Sequence, residues 1–130
     1  PAAIAAARYV AGTPRGNPGA IALLERFLKR QPKATEARFL LARLLAAEGR
    51  NEAAREQFET ALKQEPDSPA ILFSLAQLAH QMKQPQVAAE YLQRYLDLPE
   101  QIQRDNDPAY LFMGQLAEEA RRYDEALGWY

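Results

Sequence analysis

Catalysis needs reactive side chains in company, and this chain has few. His80 is its one histidine, Ser68 and Ser74 are its two serines, and it has no cysteine. A solitary imidazole reads more readily as a surface or groove residue than as a general base. Metal ions recruit several His, Cys or paired carboxylates. Glu118 and Glu119 are adjacent, so they leave a helix in different directions and make no pair by default. No GxGxxG or GxxxxGK[ST] string offers a phosphate cradle. The absence of cysteine removes both a disulfide framework and a thiolate site. The expectation is therefore no catalytic residue, no cofactor and no metal, and a protein that is not an enzyme.

The composition narrows the remaining classes. At 130 residues the chain is one ordinary domain, with 48% apolar and 25% charged residues, a globular balance rather than a disordered one. Net charge is −1, with bases and acids interleaved, so the concentrated basic face of a nucleic-acid binder is missing. No apolar run approaches the ~18 residues of a membrane span. The opening Ala2–Ala7 lacks the charged lead and cleavage pattern of a signal peptide. The first residue is Pro1 rather than Met, which reads as a fragment or processed form whose targeting segment is missing.

The residues worth positioning become visible through a repeat. Ala20, Ala54 and Ala88 are spaced by 34, as are Leu24, Phe58 and Leu92, Pro32 and Pro66, and Leu41 and Leu75. After Leu92 the register jumps by 38, to Ala126 and Tyr130, which places four extra residues within 98–106. This stretch, with Gln103, Arg104, Asp105 and Asn106, reads as a polar surface loop that tolerates shortening. Apolar residues recur at helical spacing through Phe39, Leu41, Ala42, Leu44 and Leu45, then through Ala53, Ala54, Phe58, Ala61 and Leu62. Gly49 between them suits a left-handed helix end, with Asn51 as the next cap. Asn17-Pro18, Ser68-Pro69 and Asp107-Pro108 each put a capping side chain before a helix-starting proline. No stretch alternates with period two, so no strand is expected.

These spacings resemble the tetratricopeptide repeat family, whose unit is a 34-residue helical hairpin with set aromatic, small, Ala, Phe, Ala and Pro positions. Residues 35–68 carry it through Leu41, Ala42, Leu45, Ala54, Phe58, Ala61 and Pro66. Residues 69–102 carry it through Leu75, Ala76, Ala79, Ala88 and Leu92, departing at Tyr95 where a small residue is usual. The last stretch matches through Tyr110, Met113, Gly114, Ala117, Ala126 and Tyr130, and the first is weakest, with Arg8 at a normally small position. The resemblance implies an all-α, right-handed superhelix of antiparallel hairpins, with repeats at about 1–34, 35–68, 69–106 and a truncated 107–130. Ala54, Ala61, Ala88 and Gly114 would then be small because helices cross closely there. The chain stops at Trp129-Tyr130 midway through a helix, so the natural protein is expected to continue.

In this family the first helix of each hairpin lines a concave surface. Helical spacing from the core positions puts Phe39, Arg43, Ala46 and Ala47 there, then Phe73, Gln77, His80 and Gln81, then Leu111, Gln115, Glu118 and Glu119. In the first repeat the set is Ala5, Tyr9, Gly12 and Thr13. Phe39 and Phe73 lie one period apart with Leu111 next in line, an apolar strip edged by Arg43, Gln77 and Gln115. The alternative is that these aromatics pack only against neighbouring helices. The lysine–asparagine–arginine clamp of chaperone-binding members is not matched in either repeat frame. The reading is a scaffold that binds a peptide or helix of a protein partner in its groove, at Tyr9, Phe39, Arg43, Phe73, Gln77, His80, Leu111 and Gln115. Its rival is self-assembly into a homo-oligomer, or docking within the chain, through Trp129 and Tyr130. The Ala-, Leu-, Gln- and Arg-rich wording resembles bacterial members, and the compartment stays open between cytoplasm and periplasm or envelope.

Overall fold

The computed structural model describes Ile4, Ala7 and residues 16–102 and 104–128. Six helices follow in order: α1 Gly16–Arg30, α2 Thr35–Ala47, α3 Asn51–Gln64, α4 Pro69–Gln81, α5 Pro85–Leu96 and α6 Asp107–Gly128. There is no strand among the described residues. Each helix packs on its chain neighbours, and α2 also touches α4, so the helix pairs stack in series as a helical-repeat solenoid.

The periodic residues form the core. Ala20, Ala54, Ala61 and Ala88 are fully buried, and so are Leu24, Phe58 and Leu92 beside them. Leu41 on α2 and Leu72 and Leu75 on α4 are buried as well. Burying one such leucine or phenylalanine stabilises by roughly 1.5–3 kcal/mol, which a single hairpin cannot gather on its own.

Helix ends follow the turn chemistry in part. Gly49 stands at φ 78°, and the Gly49 and Arg50 amides donate to the Ala46 and Leu45 carbonyls at 3.0 and 2.9 Å. This paired bond pattern is the Schellman stop. The same stop recurs one period later with Lys83 at φ 61° and the Gln84 amide on the Ala79 carbonyl at 2.8 Å. Ser68 caps α4, its Oγ accepting from the Ile71 amide at 3.4 Å, with Pro69 behind it.

The other expected caps differ. Asn51 lies inside α3, preceded by Arg50 at the cap, and its Oδ1 is buried without a hydrogen bond. Asn17 falls inside α1, and Asp107 falls inside α6, where its amide donates to Asp105 Oδ1 at 3.0 Å. In each case the helix begins at or before its polar residue rather than just after it.

Two larger departures concern the last third. The segment 98–106 is built rather than slack. Arg104 donates to the carbonyls of Pro99 (2.9 Å), Ile102 (3.2 Å) and Leu96 (3.2 Å), and its Nε to Asn106 Oδ1 (3.0 Å). The buried Tyr95 hydroxyl donates to the Asp105 carbonyl at 2.6 Å. The aromatic that departs from the usual small residue is thus the post against which the longer connection is tied. The expectation of a readily shortened loop is corrected accordingly; Gln103 lies outside the described residues.

The second departure is α6, a single helix of 22 residues where two were expected. Ala120, Arg121 and Arg122 stand where the earlier pairs have their turn, and all three favour helix. Neither a glycine like Gly49 nor a proline like Pro85 interrupts them. Gly114 therefore sits at no close crossing: it is exposed, and a Cβ added there would meet nothing within 4 Å.

Candidate protein-binding surface

The first-helix residues singled out from the sequence fall into two clusters. On α2, Phe39 is half-buried, its ring set edge-on against Phe58 of α3 at 5.7 Å between centroids. Its other side meets Arg43, whose guanidinium carbon lies 5.8 Å from the ring centroid. Arg43 is exposed, so this cation–π contact holds an outward-facing guanidinium over an apolar platform at a gain of about 0.5–1 kcal/mol.

The second cluster spans α4 and α6. Phe73 is half-buried between Tyr95, at 5.7 Å, and Phe112, at 6.1 Å. His80 stands edge-on to Phe112 at 5.3 Å and reaches the Glu119 carboxylate, with Nε2 at 3.1 Å from Oε2. Gln115 donates to the other Glu119 oxygen at 3.2 Å. The His80 and Gln115 hydrogen bonds, in that order, hold the Glu119 carboxyl below the usual glutamate range. Helices α4 and α6 are thus joined mainly by side chains.

Of the expected strip, Phe39 and Phe73 serve both surface and packing, each leaning on the second helix of its own pair. Leu111 is 76% exposed, with no second helix folded back on α6 among the described residues. The aromatic that meets Phe73 is Phe112, one residue on, which spacing from Phe39 and Phe73 passes over. Gln77 is exposed on α4. Tyr9, with Ala5, Gly12 and Thr13, lies outside the described residues.

The site carries little reaction chemistry. No group of three or more His, Asp or Glu side chains is placed to hold a metal among the described residues. Among the described residues no helix is long and apolar enough to cross a membrane. What the surface offers is aromatic area, one stacked guanidinium, amides and a histidine–carboxylate bridge, the vocabulary of polypeptide contact.

Known proteins agree on the fold. The Tetratricopeptide repeat profile matches residues 15–58 and 41–108, together most of the chain, and the protein belongs to that family. No curated protein sequence matches the chain significantly. Among solved structures it is similar to MamA, with a TM-score of 0.69 at 21% identity over 86% of this chain and 59% of that one. It is similar also to YrrB, described as a TPR protein with an unusual peptide-binding site, with a TM-score of 0.73 at 24% identity over 97% and 62% of the two chains. The chain spans about three fifths of the length of these structures. As a tetratricopeptide repeat protein it is a protein–protein interaction module.

Proposed function

We propose that the chain is a scaffold that takes an extended or helical segment of a partner protein along its first helices, with Phe39, Arg43, Phe73, Gln77, His80 and Gln115 in contact. The observation that carries this reading is the Arg43 guanidinium stacked on Phe39 and open to solvent. A planar cation pre-set over an apolar ring loses little freedom on meeting a carboxylate or a main-chain carbonyl. YrrB, by its description a peptide binder of the same fold, gives a precedent.

The packing of Phe39 and Phe73 dictates how to test it. Replacing both with Ala removes contacts to Phe58, Tyr95 and Phe112 as well as any partner contact, so lost binding alone would be ambiguous. Arg43 separates the two. Arg43→Ala should cost no more than about 1 kcal/mol of stability, the worth of the cation–π contact, and weaken partner capture by about tenfold, or 1.4 kcal/mol. Pull-downs from the native source followed by titration of the captured partner measure this. If Arg43→Glu retained every partner at parental affinity, the reading would fail.

A further inference from the structure

The second helices, α3 and α5, carry a cleft of their own. They do not pack closely on one another, and between them lies a space of about 390 Å³ lined by Glu59, Leu62, Lys63, Pro66 and Arg94. Leu62, which is buried, and Pro66, which is exposed, give it an apolar wall. Its two cations come from opposite sides, Lys63 in the last turn of α3 and Arg94 in the last turn of α5. Glu59 is the acid of the lining, and Arg55 already lies against it at 3.9 Å. Neither Lys63 nor Arg94 has an acidic partner among the described residues.

Arg94 is held in another way. Its guanidinium carbon lies 5.9 Å from the centroid of the Tyr91 ring, and the side chain is open to solvent. Burial, and then Glu59, pushes the Tyr91 hydroxyl up from its ordinary value, so the ring brings no negative charge of its own. A cation in a last turn also suits the helix dipole. That role needs neither an aromatic beneath the guanidinium nor a cleft beside it.

The repeat shows what is particular to this junction. Glu25, Leu28, Lys29 and Pro32 stand 34 residues before Glu59, Leu62, Lys63 and Pro66, so α1 carries the same wall as α3. The facing residues differ. In register with Tyr91 and Arg94, α3 has Gln57 and Thr60. Gln57 accepts from the Arg38 guanidinium at 2.7 Å, and the Thr60 hydroxyl donates to the Glu56 carbonyl at 2.9 Å. Both are used within the fold, whereas Arg94 points a planar cation at the cleft's mouth.

We propose that this cleft is a second docking site, separate from the groove, which takes an acidic segment of a partner polypeptide. A carboxylate sits between Lys63 and Arg94, and an apolar side chain next to it lies on Leu62 and Pro66. The stacked guanidinium offers a carboxylate its two-pronged fork with little freedom left to lose. The apolar wall favours a polypeptide over a bare anion.

Two synthetic peptides test this, one alternating leucine with glutamate and the other leucine with lysine. Each is titrated into the isotope-labelled full chain and followed through the amide NMR signals. The glutamate peptide should shift Leu62, Lys63, Tyr91 and Arg94 along a saturating curve, and the lysine peptide should not. Arg94→Thr, which gives α5 the residue that α3 has in that register, should weaken the glutamate peptide by about tenfold, as should Lys63→Gln. Both positions are exposed, and unchanged signals elsewhere would show the fold intact. Arg43→Glu should leave this binding as it is, which separates the cleft from the groove. The proposal is overturned if no saturable shift appears, if the lysine peptide binds as well, or if the shifts are confined to α2 and α4. It is overturned equally if Arg94→Thr keeps the parental affinity. Inorganic phosphate binding as tightly as the peptide would also overturn it, since the cleft would then hold an anion of any kind.

Discussion

Gly49 and Lys83 occupy the same place in successive helix pairs, with φ of 78° and 61°. For an L-residue this left-handed region carries a strain of about 1–2 kcal/mol, which glycine avoids. Lys83 is held there by the bonds that close its turn, the Lys83 amide to the His80 carbonyl and the Gln84 amide to the Ala79 carbonyl. The two sites should therefore respond oppositely. Gly49→Ala should destabilise by about 1 kcal/mol although its Cβ has open space, because the obstacle is the backbone and not a neighbour. Lys83→Gly should stabilise by a comparable amount. Urea unfolding of the two variants beside the parent tests this, and equal shifts in the same direction would contradict the strain account.

Among the elements, the connection from α5 to α6 departs furthest from what spacing alone conveys. The 34-residue series in Ala, Leu and Pro made the helix pairs and their buried faces legible, because burial at a fixed period leaves its mark on residue type. Tyr95 was legible as an exception. Its purpose was not, since a hydroxyl reaching the Asp105 carbonyl depends on where the chain returns in space. The same holds for Arg104, whose three carbonyl partners have no common sequence signature. Phe112 escaped for a related reason, since its contact follows from what packs beside it; the unbroken α6 was there to be read in Ala120-Arg121-Arg122, which lack the glycine stop of the earlier turn. Arg104→Ala should destabilise by about 1–3 kcal/mol through the carbonyls it leaves unpaired. Arg104→Lys should recover little, since an ammonium cannot span carbonyls arranged around a planar fork. Deleting four residues from this stretch should cost more than either, and thermal unfolding of the three variants would rank them.

For the molecule as a whole, the bridge from His80 to Glu119 ties helices 39 residues apart in sequence. The Glu119 carboxyl is held below its ordinary range, first by His80 and then by Gln115. A depressed folded value means the contribution is fully present above the ordinary glutamate pKa of about 4.3, and is lost as pH falls through the lower folded value. Glu119→Gln should therefore flatten the acid limb of the stability profile below about pH 4.3 while leaving its shape near neutrality. Thermal midpoints collected from pH 2 to 7 would show it. Parallel profiles for parent and variant would mean that the bridge contributes nothing.

Stacking in series also determines how the chain would carry force. Each helix packs chiefly on its sequence neighbours, so tension applied at the two ends passes through every junction in turn and is not shared among them. The weakest junction then sets the yield point. The α4–α6 tie rests on a few side chains and the α5–α6 connection on the Arg104 clasp and the Tyr95 hydroxyl, so that end should peel first, at a force lower than the rest withstands. The remaining pairs should follow one by one, each a separate step in extension. A chain built this way lengthens under load and shortens when released, behaving as a spring between whatever is attached to its ends.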